Sequence, residues 1–446
     1  MAVVVHPLNR GIRPIRIELD TDGGKVVGAK AGTTYYWDFA NTLKGKDPMD
    51  AIQLTQRTSG LDFVAHATAI VRALEEIAAV QLTGIAVLTR NVLLGLDIVY
   101  GHITHFYSNV LPDYIPFPEE GPFYNVAGDF RLPPGVRDSM IKNMWRAFEI
   151  RQLIHNIMAV LSGKAPHICS VIMGGVTRAV TGAEIVRINS VLKEVAGFVN
   201  NEYYNDLVQI EQVYGQYFLI GGGAGNLLTV GEFPRDKAGN CLFSAGVNFQ
   251  AARFNKKLIS MDFAGAWFEA EGTWEGPLAA TLKPKPDKPG GYSWVKGALY
   301  RNKTCEVGPL ARMALTGNAQ ITGLGKRAMS VLGRYRARLE ECKVLLIQIT
   351  GWLEQINPGE KPAEHTEMPE EGEAIGVAEA SQGSVVHYVS IKKGKIDKYN
   401  VLDAYSWNLC PNTREGLKGP MEQALTGLVV TGPEVTADVL RVARSF

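Results

Sequence analysis

The sequence predicts an α+β fold that is mainly α, with a bundle of long helices as its core and small β-sheets at its periphery. Two observations carry this. Apolar residues recur at three- and four-residue spacing from Met49 to Val110, Pro134 to Leu161, Thr181 to Tyr217 and Leu310 to Ile356, the period that places one helix face in a core. Short segments near both ends alternate instead with the two-residue period of strands. No internal repeat is visible, so neither a solenoid nor a propeller is indicated.

Residues 13–30 alternate through Ile15, Ile17 and Leu19, turn at Asp22-Gly23-Gly24 and continue as Lys25-Val26-Val27, a β-hairpin. The helical core follows, over about 49–217 and 310–356. Between them, residues 218–300 are rich in glycine and aromatic residues and read as loops and short strands. Asn357-Pro358-Gly359 ends the last long helix, and the acidic stretch Glu360 to Glu373 reads as an exposed loop. A closing strand pair spans 385–401, with Lys392-Lys393-Gly394-Lys395 as its turn, followed by a tail. The helices and both sheet pieces are expected to share one core, so residues 1–446 read as a single domain.

A net charge of +1, from 46 basic and 45 acidic side chains, gives no field for nucleic acid or anionic lipid. The five cysteines, Cys169, Cys241, Cys305, Cys342 and Cys410, are widely separated and suggest neither a disulfide framework nor a local metal cluster. The apolar stretch from Ile77 to Tyr100 is interrupted by Gln81, Thr83, Arg90, Asn91 and Asp97, and is expected to form buried helices and not a membrane span. MAVVVHPLNR lacks the pattern of a secretory signal. The expected location is therefore cytoplasmic, or outside the cytoplasm only by export with a partner that carries the signal.

Gly221 to Gly225 lacks both dinucleotide and P-loop order and reads as a turn where elements approach closely. His102 and His105 share a helix face, but without a metal-site pattern they read as buried, hydrogen-bonded histidines. Ser59 lies outside any nucleophile-elbow motif. Asp62 and His66 are one helical turn apart if a helix starts near Gly60, which makes Ser59, Asp62 and His66 the best local chemical cluster. Helix capping by Ser59 or Asp62 is the ordinary alternative.

Several blocks together resemble the large subunit of nickel-iron hydrogenases, in particular the uptake type. They are Leu43 to Pro48 with Asp50-Ala51 and Thr55-Gln56-Arg57, then Lys164 to His167 with Gly174 to Thr177. Glu306 to Arg312, Ser406-Trp407-Asn408, and Pro433 onward to Arg444-Ser445-Phe446 complete the set. Their order and spacing cover nearly the whole chain. The resemblance implies the large-subunit fold and an iron-sulfur small subunit as partner, with room for a larger redox complex; the charge balance and the interrupted apolar stretch already argue against nucleic acid and a direct membrane span.

The same resemblance exposes departures. The family's first metal loop, R-x-C-G-x-C, is matched by Arg57 to Asp62, with Ser59 and Asp62 in the two cysteine positions and His66 matching the histidine that follows. Its second cysteine pair belongs to a motif that would begin after Phe446. Gln382 stands where the family has the arginine of A-P-R-G, about Ile12 where it has an acidic residue, and Ala40 where a glutamate helps bind magnesium. Serine and aspartate oxygens are hard donors unlike bridging thiolates.

The expectation is therefore a hydrogenase-like large subunit with no cofactor of its own and no metal ligands. Ser59, Asp62, His66 and Gln382 are the candidate residues of the altered site, and iron-sulfur clusters are expected in the partner. Such a chain would serve as a structural or electron-transfer partner and would not activate hydrogen alone. Two alternatives stand beside it: a repurposed redox subunit whose pocket takes another metal or a small substrate, and a nickel-dependent subunit completed by a separate C-terminal peptide.

Overall fold

The computed structural model describes all residues except 1, 12, 117–127, 235–239, 251–252, 272–277 and 431–436. Strand β1 (Ala2–Leu8) pairs antiparallel with β2 (Ile15–Asp22), and β2 with β3 (Lys25–Thr33). Ile17 and Leu19 are fully buried while Arg16 and Glu18 between them are not, so the alternation puts one face on the core. Gly23 (φ 54°) and Gly24 (φ 77°) both take the left-handed conformation that a tight hairpin turn demands. The predicted hairpin is thus β2–β3, and β1 adds a strand that the sequence does not announce.

The helical core contains α1 (Phe63–Ile77), α2 (Gly84–Thr104), α3 (Pro134–Ser162), α4 (Gly182–Phe198), α5 (Tyr204–Val213), α6 (Pro309–Leu315) and α7 (Val331–Gln355). Their starts carry the expected chemistry. The Thr83 hydroxyl accepts from Ala86 N at α2, Thr181 and Glu184 form a reciprocal capping box at α4, and the Ser330 hydroxyl accepts from Gly333 N at α7. Gly163, at φ 81°, ends α3.

Helix α2 packs against α1, α3 and α7, and Ile85, Leu93, Leu96, Val99 and Ile103 along it are fully buried. The segment Gly84–Asp113 is long and apolar enough to cross a membrane, but 83% of its apolar window lies inside the protein. Being surrounded by other helices accounts for its all-round hydrophobicity.

At the other end of the chain, β4 (Gly372–Glu379), β5 (Ser384–Lys392) and β6 (Lys395–Leu402) form an antiparallel sheet in that order. Strands β5 and β6 are the predicted pair. Strand β4 begins within the tail of the expected acidic loop. Helix α1 lies across β4 and β5, and it comes so close at Gly376 that an added Cβ would stand 1.8 Å from the Ala69 carbonyl oxygen. Between residues 218 and 300 the described strands are short two-stranded ladders, including Ile259–Asp262 with Gly297–Tyr300 and Phe268–Glu271 with Thr281–Pro284.

A buried charge network joins these layers. Arg312 on α6 donates to both carboxylate oxygens of Glu341 on α7 and, through Nη1, to Glu379 Oε2 at the end of β4 (2.7 Å); all three side chains are fully buried. His102 on α2 meets Glu341 at 2.7 Å. Glu379 also accepts from Thr229 Oγ1, Val230 N and Ser384 Oγ. The network pins the end of β4, from which the next loop enters the candidate site.

Candidate functional site

Two loops build the site. The first runs through the helical turn Thr55–Arg57 into Ser59 and Asp62. Asp62 has φ 64° and ψ 22°, a left-handed conformation that aspartate tolerates better than most residues, and it swings the chain into α1. The second loop, Ala380 to Gly383, joins β4 to β5. Asp62 fastens them together: its Oδ1 accepts from Ser381 N at 2.9 Å and from Ser381 Oγ at 2.5 Å. Behind Ser381 lies Gly101 of α2, where a Cβ would stand 2.3 Å from the serine oxygen.

The ordinary capping role expected of Ser59 or Asp62 falls elsewhere. Asp97, one helix away on α2, accepts from Val64 N at 3.1 Å and so serves the first turn of α1. Asp62 makes no side-chain cap, and the Ser59 hydroxyl accepts from Leu61 N within its own turn, at 3.3 Å. Capping from a residue so distant in sequence leaves no local signal.

Ser59, Asp62, His66 and Gln382 line one small pocket of about 260 Å³, together with Arg13, Val385, Asp403 and Tyr405. All four candidates are at most 8% exposed. Arg13, Asp403 and Tyr405 carry no signal in the sequence that singles them out. Arg13 Nη2 donates to Asp403 Oδ2 (2.6 Å) and to the Thr58 carbonyl (3.2 Å), which ties β2's lead-in to the first loop and to the segment that follows β6. Asp403 in turn caps the short helix α8 (Ala404–Asn408). Ile12 lies outside the described residues, and Ala40 lines a separate, larger cavity of about 1030 Å³ with Tyr36, Trp294 and Lys296.

Burial sets the protonation states. It pushes the Asp62 carboxyl up to about 6 despite the two bonds from Ser381, and holds His66 down at about 4. Asp97 is raised well above the usual carboxyl range by burial and by the proximity of Asp62. For Asp403, burial acts upward but is outweighed by Arg13, His66 and the bonds from Ser406, so its carboxylate sits below the usual range. One ion pair, Arg13 with Asp403, therefore stands beside a neutral imidazole and a carboxyl poised near neutrality.

The other sequence candidates settle into structural roles. His102 bonds Glu341, and His105 Nε2 meets the Arg444 carbonyl at 2.8 Å. Gly221, at φ 84°, sits so near α7 that an added Cβ would stand 3.1 Å from the Val331 side chain, the close approach expected there. The five cysteines form no disulfide, and none lines the pocket.

The chain is thus a helical body with small flanking sheets and a pocket where residues 59–66 and 380–383 meet. The family model described as nickel-dependent hydrogenase matches residues 39–121 and 119–446. The periplasmic [NiFeSe] hydrogenase large subunit of Desulfomicrobium baculatum is 32% identical, over 100% of this chain and 93% of its own. The hydrogenase-2 large chain of Escherichia coli (strain K12) is 26% identical over 100% and 95%. The solved H2-activated [NiFeSe]-hydrogenase of Dm. baculatum superposes with a TM-score of 0.94 at 32% identity, covering 100% of this chain and 98% of that one. The chain belongs to the nickel-dependent hydrogenase large-subunit family.

Two expectations are corrected by these relatives. A chain with no cofactor does not agree with membership of a family described by its nickel dependence, whose solved relatives are named as [NiFeSe] hydrogenases. A cytoplasmic location does not agree with a relative matched along the whole chain that is named periplasmic. Both expectations lean on local features, a few departures from the family's site motifs and one N-terminal segment, against a likeness that spans the whole chain.

Positions 59 and 62 nonetheless do not fit a thiolate-held nickel-iron group. They offer a hydroxyl and a carboxyl already engaged in hydrogen bonds. The arrangement can hold loops together, orient hydrogen bonds and carry protons.

Proposed function

We propose that this chain acts as the large subunit of a hydrogenase-type redox complex, packing against an iron-sulfur small subunit as its structural or electron-transfer partner. The observation that carries the proposal is the retention of the entire scaffold, 100% of the chain at a TM-score of 0.94, with the 59–66 and 380–383 loops still meeting in one buried pocket. Within that complex Ser59 and Asp62 supply hydrogen bonding where the family resemblance has thiolates. The 446 residues work as one unit, with the buried Arg312 network tying the helical core to the C-terminal sheet. The complex works outside the cytoplasm, in keeping with the periplasmic relative.

Co-expression with a hydrogenase small subunit tests the proposal. A stable complex with one copy of each chain, showing the absorbance of iron-sulfur clusters, is expected. A large chain that elutes alone as a stable monomer under the same conditions would refute it.

A further inference from the structure

The small polar pocket and the larger cavity are joined through the protein by three side chains. His66 on α1 lines the pocket, and its Nδ1 lies 2.9 Å from Nε2 of His387 on β5. His387 Nδ1 lies 2.6 Å from the hydroxyl of Tyr399 on β6, and Tyr399 lines the larger cavity. Both histidines are at most 1% exposed and Tyr399 is 4% exposed. Each ring nitrogen of His387 is used, and His66 is left with Nε2 as the pocket-side terminus. The sequence offers no hint, because the three residues lie on three elements and are brought together only where α1 crosses the sheet.

We propose that His66, His387 and Tyr399 form a proton relay between the polar pocket and the aromatic cavity. A neutral imidazole donates at one nitrogen and accepts at the other, so two of them in line with a phenol make a head-to-tail chain. Burial keeps both rings in that neutral form, with His66 held at about 4 and His387 well below the ordinary histidine range. The transfer balances at every atom. A proton taken up on the Tyr399 oxygen releases the phenol proton to His387 Nδ1; the Nε2 proton of His387 passes to His66 Nδ1; the Nε2 proton of His66 leaves into the pocket. The reverse sequence returns the chain to its starting tautomers and moves a proton the other way.

Geometry separates this arrangement from a structural pair. Buried histidines kept for packing need satisfied nitrogens, but they do not need a cavity at both ends of the chain. Here one end opens beside Asp62 and Asp403, and the other beside Tyr36, Lys296 and Asn400. The relay goes beyond the subunit assignment and is a property of the full-length chain alone, so either can fail without the other.

The test is nitrogen-15 NMR of the histidine-labelled full-length chain. Scalar coupling across the His66 to His387 hydrogen bond is expected, with one ring proton on each imidazole at neutral pH. Exchange of the His387 ring proton, which lies between the two imidazoles, with water should slow on the order of a hundredfold in Tyr399→Phe, the scale a positioned proton-transfer group contributes. It should be unchanged in Tyr36→Phe, which alters the same cavity wall outside the chain. Equal exchange rates in Tyr399→Phe and the parent protein would overturn the proposal. Should Tyr399→Phe not fold, the parent protein alone decides: ring protons of His66 and His387 that exchange together support the relay, and independent exchange or absent coupling overturns it.

Discussion

Replacing Arg312 with methionine should cost this protein a large share of its stability, because it strands two buried carboxylates at once. Arg312 is fully buried and donates to both oxygens of Glu341 and to one of Glu379. Burial acts to raise Glu341, but Arg312 and His102 reverse it and hold the group at about 2, against an ordinary value of 4.5. A displacement of that size corresponds to about 3 kcal/mol. Removing one partner of a buried pair typically costs about 3–5 kcal/mol, in agreement.

The sign with pH follows from the same shift. A carboxyl depressed in the fold contributes stability above its unfolded value, and that contribution is lost as pH falls from 4.5 through about 2. The gap between parent and Arg312→Met in urea denaturation should therefore be widest near pH 7 and should narrow below pH 4.5. Arg312→Lys keeps the charge but loses the planar fork and should fall between the two. A loss below about 1 kcal/mol at pH 7, the worth of an exposed pair, would refute the view that this network holds the core to the sheet.

Other substitutions follow from single contacts. Asp62 is raised from 3.8 to about 6, so it favours the fold most below pH 3.8 and loses that contribution as pH rises through 6. Asp62→Asn cannot ionise, and its stability relative to the parent should improve as pH rises from 3.8 through about 6 in denaturation curves. Asp97→Ala removes the acceptor for Val64 N and should cost about 0.5–2 kcal/mol, the usual loss for a helix cap. Gly101→Ala pushes a methyl into Ser381 and should destabilise by about 1–3 kcal/mol. Gly376→Ala meets the backbone of α1 at 1.8 Å and should be the more damaging of the two, as read by thermal unfolding of both variants.

Much of the fold is legible because periodicity survives where an element has one buried face. Helix α3 is expected over residues 134–161 and is found at Pro134–Ser162, and the β5–β6 pair is expected within a residue or two of its limits. Strand β4 escapes the sequence for a physical reason. Gly376 is there to let α1 approach, and glycine and glutamate at 372, 373 and 376 erase the alternation that marks a strand. Strand β1 is hidden by its position at the terminus.

The site is legible in part. Ser59, Asp62, His66 and Gln382 follow from the family resemblance, and all four line the same pocket. Arg13, Asp403 and Tyr405 arrive from distant segments, and nothing in their local sequence sets them apart. Likewise, the cap on α1 comes from α2, and His387 reaches His66 across more than half the chain. Contacts of that kind are made by packing, and a one-dimensional pattern does not contain them.

The measurement that bears most directly on the central claim is a structure of the complex with the small subunit. The large-subunit account predicts that residues 55–62, whose exposed Gly60 sits between buried Ser59 and Asp62, lie against the partner facing its nearest iron-sulfur cluster. A complex in which that loop faces solvent, with the partner seated elsewhere, would contradict it.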